Sequence, residues 1–273
     1  MPAASLASVE QTELQALLDR DDTHWWYRGR LRIVLGEVER LQLPRGALIL
    51  DAGCGSGHVL AELGRAGEAW GIDASPQAVA ASRRRGLEQV INGRIERLPY
   101  PDASFRLVTC LDVIEHIDDD VEALRELRRV TAPGGHLVVT VPAYPSLWSR
   151  HDELNHHRRR YLLSTLSSAA ARAGWELERA SHFNTVLLPP AALVRLAGRS
   201  RLGARLRGER SELSFTPRAL DLVLELPLQL EAALIRRGVR LPAGLSLLAT
   251  FRRPAEQPPP LVLARRNRGA AVH

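Results

Sequence analysis

A glycine-rich loop between a predicted strand and a predicted helix restricts the fold of this chain more than any other feature. Residues 50–58 read LDAGCGSGH; they follow the apolar run Ala47–Leu50 and precede the amphipathic run Val59–Ala66. Glycines in such a loop permit positive φ and let a ligand approach the backbone closely. The next apolar run, Ala69–Ile72, is followed by Asp73. In a doubly wound sheet an acid at this position binds ribose hydroxyls, so the spacing predicts a ligand of the nucleoside type.

The loop departs from the dinucleotide fingerprint G-x-G-x-x-G. Counted from Gly53, the last position of that pattern is His58, and the third glycine comes one residue early, at Gly57. Asp51 stands before the first glycine. A carboxylate there suits a ligand with a positively charged amino group better than one with a pyrophosphate. S-adenosylmethionine has such a group, so the pattern favours it over NAD.

Short apolar runs alternate with helical patterns over the first half of the chain. The first helix is predicted over residues 23–41, capped by Asp21, Asp22 or Thr23, because its apolar residues recur with a period near 3.6. Alternating strands and helices of this length predict βαβ units, a parallel sheet and helices on both faces. The later predicted strands are Gln89–Ile91, Phe105–Leu111, His136–Val141, Trp175–Ser181 and Leu245–Thr250.

Several motifs in combination resemble the class I S-adenosylmethionine-dependent methyltransferases, in the small-molecule group that includes the ubiquinone- and menaquinone-biosynthesis enzymes. They are LDAGCGSG at 50–57, GIDAS at 71–75, RLPYPDASFRLV at 97–108, LDVIEHIDD at 111–119 and RVTAPGGHLVVTVP at 129–142. HWWYRGR at 24–30 and LWSRHDELNHHRRRY at 147–161 resemble a narrower bacterial subset. The resemblance implies an α/β, Rossmann-like sheet of seven strands with an antiparallel final strand. The pattern of the chain itself adds an N-terminal helical extension and a helical insert before the last strand.

The resemblance also implies which residues hold S-adenosylmethionine. The methionine and ribose end of the cofactor would be lined by Asp51, Gly53 and Gly55, with Asp73 on the ribose hydroxyls and with Leu111 and Asp112 closing over the methionine.

The adenine end of the predicted cofactor site departs from the family pattern. Ala74 would lie beside the adenine. The family often has an acid after a glycine at the end of the third strand, but here Gly93 is followed by Arg94, which cannot accept a hydrogen bond. Adenine recognition is therefore assigned to packing against Ile95, to backbone groups, or to Glu96.

Candidate catalytic residues lie after the fifth strand, in the titratable segment 151–161, HDELNHHRRRY. Methyl transfer from a sulfonium is a direct displacement, so an enzyme mainly aligns the reactants and excludes water. A hydroxyl acceptor also needs a base. We assign His151 or His156 as that base, with Asp152 orienting it. The alternative is a solvated loop that precedes a charged helix start.

A second titratable group, at Asp112, Glu115 and His116, resembles a pattern of some quinone O-methyltransferases that could hold a divalent metal near a catechol. No metal is predicted here. The preferred interpretation is that Glu115 and His116 form hydrogen bonds with neighbouring loops.

The chain divides by composition into five segments. They are an N-terminal helical cap at 1–44, the methyltransferase core at 45–185, a helical insert at 186–241, the final core strand at 242–253 and a loose tail at 254–273. Trp25, Trp26 and Tyr27 in the first segment would form a lid or simply pack that helix. The insert is interpreted as a substrate cap, with a surface for anionic lipid or a dimer contact as alternatives.

Composition limits the cellular setting. With 45% hydrophobic and 25% charged residues among 273, the chain resembles a folded globular protein. It has no apolar run of about eighteen residues, as a membrane span would need, and residues 1–15 do not resemble a secretory signal. Cys54 and Cys110 predict neither a disulfide framework nor structural zinc. We therefore expect a cytoplasmic protein, with contact at a membrane surface left open.

The charge leaves the partner open. The net charge is +6, and all 37 basic residues are arginine, which indicates either a GC-rich genome or an anionic partner. Nucleic-acid methylation is disfavoured, because the base-methylating motif Asn/Asp-Pro-Pro-aromatic is replaced by LDVI at 111–114. The leading hypothesis is methyl transfer to an oxygen of a small or lipid-linked molecule. The alternatives are a nucleic-acid methyltransferase or a non-catalytic cofactor-binding protein of the same fold.

Overall fold

The computed structural model of the protein describes residues 23–197 and 218–255. Seven strands form one mixed sheet with the order β3-β2-β1-β4-β5-β7-β6. The first five strands are parallel, and β7 is antiparallel to both of its neighbours. This is the α/β sheet with an antiparallel final strand that the sequence predicts. The strands are β1 Leu48–Ala52, β2 Glu68–Asp73, β3 Val90–Asn92, β4 Phe105–Leu111, β5 Thr131–Pro142, β6 Glu176–Phe183 and β7 Ser246–Arg252.

Helices cover both faces of the sheet, as the sequence predicts. One core lies between the sheet and helices α4 and α6, and the other lies between the sheet and helices α1, α2 and α8. The helices are α1 Trp25–Arg40, α2 His58–Leu63, α3 Pro76–Arg84, α4 Asp120–Val130, α5 Arg150–Leu154, α6 Leu163–Arg172, α7 Leu188–Ala197 and α8 Arg218–Arg236. Short 3₁₀ turns span Ile114–His116 and Pro145–Leu147.

The predicted N-terminal cap and the predicted insert both contribute to the core. Ile33 and Val34 of α1 share one buried cluster with Leu228 and Ile235 of α8. The N-terminal helix and the second helix of the insert therefore form one layer over the sheet. The exact domain boundaries stay a prediction. The tail from residue 256 onward lies outside the described residues.

Two local predictions are wrong. The helix α1 is capped by His24, whose Nδ1 accepts from the backbone N–H of Trp26 at 3.3 Å; Asp21 and Asp22 lie outside the described residues. The strand predicted over His136–Val141 is β5, and it begins earlier, at Thr131, so it includes Pro133, Gly134 and Gly135. Pairing with β4 shifts register there, and Gly134 adopts a φ of +71°. The glycines thus permit a bulge in the strand instead of ending it.

Candidate active site

The glycine loop lies at the carboxyl ends of β1 and β2. The backbone N–H groups of Gly53 and Cys54 both donate to the Ile72 carbonyl, at 2.8 and 3.1 Å. Gly53 has a φ of +86°, and a Cβ there would lie 2.3 Å from the Val113 side chain. Gly55 also has a positive φ, but a Cβ there would meet no atom within 4 Å. The loop is therefore packed at Gly53 and open at Gly55, which fits a cradle for a bound ligand.

Asp73 ends β2 and organises this loop. Its Oδ2 accepts from the backbone N–H of Gly55 at 2.8 Å, and its Oδ1 accepts from that of Ser75 at 2.8 Å. Burial raises the pKa of Asp73, while the two amide hydrogen bonds act in the opposite direction. Each carboxylate oxygen has a second lone pair. Asp73 can thus hold the glycine loop in place and still accept hydrogen bonds from ribose hydroxyls.

Asp51 lies at the end of β1, opposite Thr109 of β4. It is buried, and its Oδ1 accepts from the Thr109 hydroxyl at 2.7 Å. Burial raises the pKa of Asp51 to about 6, although the Thr109 hydrogen bond and the charge of Arg30 oppose that rise. A positively charged ligand group beside Asp51 would favour its ionised form.

Arg30 forms an ion pair with Asp112. This contact ties α1 to the end of β4, across 82 residues of chain. Asp112 adopts a φ of +56°, and its backbone N–H donates to the Thr140 carbonyl at 2.9 Å. The sequence analysis placed Asp112 near the methionine end of the cofactor but did not predict that Arg30 is its partner. The only sequence signal for Arg30 was its position in the HWWYRGR motif.

The remaining predicted cofactor contacts stay predictions. Ala74 is exposed beside Asp73. Glu96 accepts a hydrogen bond from Arg94 Nε at 3.1 Å. Arg94 stands where the family often has an acid, and Glu96 is the acid assigned to adenine recognition in its place, so these two residues pair with each other. Ile95 and Leu111 are buried in the two cores, so little of either side chain is open to a ligand.

A cavity of about 590 Å³ is lined in part by Asp112. Its titratable lining residues are Arg30, Asp112, Glu115, His116, His151, His157 and Arg160. Its aromatic and aliphatic lining residues include Trp25, Trp26, Tyr27, Leu187, Pro190, Ala191 and Leu245. The aromatic residues of α1 therefore face the cavity. Trp26 also packs the helix against the sheet, since its ring stacks on that of Phe183 with centroids 5.6 Å apart.

Asp152 orients a different histidine from the two predicted. It is fully buried, and its Oδ1 lies 2.9 Å from His157 Nδ1 and 2.7 Å from Arg160 Nε. Its Oδ2 accepts from the backbone N–H of Ser149 at 2.8 Å. Burial alone would raise the pKa of Asp152, but the His157 hydrogen bond and the charge of Arg160 hold that pKa well below its ordinary value. Asp152 is therefore a carboxylate that fixes His157, and the role of His151 or His156 as a base stays a prediction.

The three histidines of this segment point in different directions. His151 lines the cavity, with its Nδ1 3.2 Å from the side-chain amide of Asn155. His156 is exposed and is not among the described residues that line the cavity. It adopts a φ of +55°, and this sharp turn directs His156 outward while the next residue, His157, faces the cavity.

Glu115 and His116 lie beside His157. Glu115 is buried, and neither of its carboxylate oxygens has a hydrogen-bond partner in the part of the chain that the structure describes. Burial and the charge of Asp112 raise its pKa well above the ordinary value. Burial, with His157 nearby, lowers the pKa of His116 to about 4. The predicted hydrogen bonds of the Glu115 side chain to neighbouring loops are therefore absent among the described residues.

Three of these side chains lie close enough together for one metal ion. Ligand atoms of Glu115, His116 and His157 lie within 4.8 Å of one another, and a carboxylate with two imidazoles suits a divalent transition metal. Asp112, the third member of the sequence-based alternative, is instead paired with Arg30.

Residues 50–139 match the family model described as "Methyltransferase domain". This range contains the glycine loop, Asp73 and Asp112. Residues 50–139 therefore form a methyltransferase domain similar to those of the class I S-adenosylmethionine-dependent methyltransferases.

Relatives of this methyltransferase include enzymes named for quinone biosynthesis. It is 29% identical over 185 residues to the demethylmenaquinone methyltransferase of Geobacillus kaustophilus, covering 63% of this chain and 79% of that protein. It is 29% identical over 169 residues to a ubiquinone biosynthesis O-methyltransferase of Alkalilimnicola ehrlichii, and the match covers 56% of this chain and 64% of that protein. The chain spans only about a third to a half of several other curated relatives.

The fold of this methyltransferase is shared with solved structures of low sequence identity. A Haloferax volcanii methyltransferase, solved in complex with the Trm112 methyltransferase activator, superimposes with a TM-score of 0.58 at 20% identity. The match covers 90% of this chain and 98% of the other.

Proposed function

We propose that this protein transfers the methyl group of S-adenosylmethionine to an oxygen of a small or lipid-linked acceptor bound in the cavity. The observation that carries this proposal is the hydrogen bond between His157 and the buried Asp152. A base that faces an acceptor cavity is needed for a hydroxyl acceptor, whereas an unprotonated amine or a carbanion needs none. Two relatives named for quinone biosynthesis support an acceptor of that general kind.

The cofactor would be held by the glycine loop and the two acids beside it. Gly55 leaves room at the loop, Asp73 has acceptor capacity for ribose hydroxyls, and buried Asp51 faces the region where an amino group would lie. When bound, S-adenosylmethionine supplies an electrophilic methyl group on a sulfonium. The chain's own contribution is to place that group next to the cavity and to keep water out.

The acceptor would lie between aromatic and aliphatic walls of the cavity. Trp25 and Tyr27 come from α1, while Leu187 and Pro190 come from the segment at the start of α7. Such a lining suits a flat hydroxylated ring with an apolar substituent. The acceptor hydroxyl then needs to reach the histidine at the titratable end of the cavity.

His157 would take the proton from that hydroxyl. Its Nδ1 is engaged with Asp152, so Nε2 is the atom that would accept the proton of the acceptor hydroxyl. Asp152 stays ionised and stabilises the imidazolium that results. Arg160, on the same carboxylate oxygen, holds Asp152 in place through the step.

We expect the variant Asp73→Ala to bind S-adenosylmethionine about 30-fold more weakly, which corresponds to about 2 kcal/mol. The reason is the loss of charge-assisted hydrogen bonds to the ribose and of the contact that holds Gly55. Isothermal calorimetry on the folded variant measures the effect. The control is Glu68→Ala, which changes an exposed acid at the opposite end of the same strand. Equal affinities of both variants would contradict the assignment of Asp73.

Transfer itself is tested with S-adenosylmethionine labelled in its methyl group. The acceptors are a panel of hydroxyquinones, catechols and phenols, each with and without a polyprenyl chain. Label in an ether product of one acceptor supports the proposal. Label on nitrogen or carbon contradicts oxygen as the acceptor atom. Tight cofactor binding without transfer to any acceptor class, nucleic acid included, would favour the non-catalytic alternative.

A further inference from the structure

Helix α8 presents apolar side chains to solvent and buries acids. Val223, Leu226 and Leu230 are 60%, 60% and 63% exposed, and their spacing places them on one side of the helix. Glu225 and Glu231, in contrast, are buried on the other side. A helix at an ordinary solvent boundary has the opposite arrangement. At these three positions α8 therefore presents apolar side chains where polar ones would suit water.

The orientation of α8 is held by the buried acids. Glu225 forms ion pairs with Arg28, at 2.6 Å, and with Arg32, both on α1. Glu231 accepts from the backbone N–H groups of Asn184 and Thr185, at 2.5 and 2.8 Å. Rotating the helix to bury its leucines would break all of these contacts. The exposed apolar side is thus a consequence of specific packing.

A second group of exposed apolar residues lies on the segment that Glu231 holds. Val186, in the turn before α7, is 58% exposed, and Leu193 on α7 is 71% exposed. Other residues of this segment, Leu187 and Pro190, line the cavity. We call the five side chains the apolar rim: Val186, Leu193, Val223, Leu226 and Leu230. They are the most exposed large apolar side chains among the described residues.

The surroundings of the apolar rim are basic. Arg237 and Arg240 are exposed just after the end of α8. Arg236, the last residue of α8, is also exposed and lies 3.6 Å from Glu39. The stretch 186–241 contains ten arginines and five acidic residues. Five of these arginines and two of these acids lie at 198–217, outside the described residues. A second copy of this chain would bring the same excess of positive charge to the surface. An anionic partner is favoured instead.

We propose that the apolar rim binds the surface of a bilayer that contains anionic lipid. The leucines and valines would enter the boundary between headgroups and acyl chains, while the arginines contact the phosphates. No helix in the described ranges is long and apolar enough to cross a membrane, so the contact is peripheral. The mouth of the cavity, bounded in part by the α7 segment, would then open close to the lipid. This proposal does not depend on the methyl-transfer reaction.

The test is sedimentation of the full-length protein with vesicles of phosphatidylcholine, with and without phosphatidylglycerol. We expect binding to the anionic vesicles that falls with added salt. The double variant Leu226→Glu/Leu230→Glu should bind at least about tenfold more weakly, because two apolar side chains no longer enter the lipid. The charge variant Arg237→Glu/Arg240→Glu should also bind the anionic vesicles at least about tenfold more weakly. The matched control, Leu162→Glu, changes a similarly apolar, 42% exposed residue on the opposite face of the sheet and should bind as the wild type does.

Other outcomes would overturn the proposal. Equal sedimentation with neutral and anionic vesicles would remove the role of charge, and wild-type binding by the Leu226/Leu230 variant would remove the role of the rim. Light scattering that shows a dimer dissociated by the same variant would assign the rim to a second copy. Calorimetry with S-adenosylmethionine verifies that each variant is folded.

Discussion

Replacing His157 with alanine should lower the turnover rate by about 10²-fold or more and leave S-adenosylmethionine affinity nearly unchanged. His157 faces the cavity and is held by Asp152, whereas the proposed cofactor contacts lie at the ends of β1 and β2. Loss of the base should therefore affect the acceptor step alone. Single-turnover transfer of labelled methyl, together with calorimetry of cofactor binding, separates the two effects.

The neighbouring histidines provide the controls for this prediction. His156→Ala changes an exposed ring and should keep wild-type turnover; His151→Ala removes another lining residue without touching the contact to Asp152. If His151→Ala causes the large loss and His157→Ala does not, the base is His151. If wild-type activity requires an added divalent metal and His157→Ala abolishes binding of that metal, His157 is a ligand and the base assignment fails.

The variant Asp152→Asn should lower the free energy of unfolding by about 3–5 kcal/mol at neutral pH. The side chain is fully buried and interacts with Arg160, His157 and the backbone of Ser149. Asparagine keeps the size but removes the negative charge, so the buried guanidinium of Arg160 loses its carboxylate. Denaturant unfolding measures the loss. Glu153→Gln, at the exposed next position, should change stability little.

The pH dependence of this effect has a definite sign. The pKa of Asp152 is lower in the folded state than in the unfolded chain, where it is about 3.9. Its stabilising contribution is therefore complete above that pH and is lost as the pH falls through the folded-state pKa. The difference in the free energy of unfolding between the wild type and Asp152→Asn should become smaller in strongly acidic solution. A difference below about 1 kcal/mol at neutral pH would show that the pair contributes little to stability.

Local patterns in the sequence were sufficient for the sheet and for part of the site. The alternation of apolar runs with helical patterns predicts βαβ units because side-chain period and crossover handedness are local properties. The glycine loop and Asp73 adjoin neighbouring strands of one βαβ unit, so their proximity follows from that unit alone. The start of β5 was predicted at His136 rather than at Thr131, because a glycine that precedes a strand and one that permits a bulge within it look alike in sequence.

Only the tertiary structure decided which side chains face each other across long stretches of chain. The choice among His151, His156 and His157 depends on the positive φ at residue 156 and on the burial of Asp152 beside Arg160, which no spacing rule contains. The Arg30–Asp112 pair joins elements 82 residues apart. The exposure of the α8 leucines depends on partners that bury Glu225 and Glu231. A sequence pattern specifies which faces of an element are apolar, but the packing of the other elements determines which of those faces is covered.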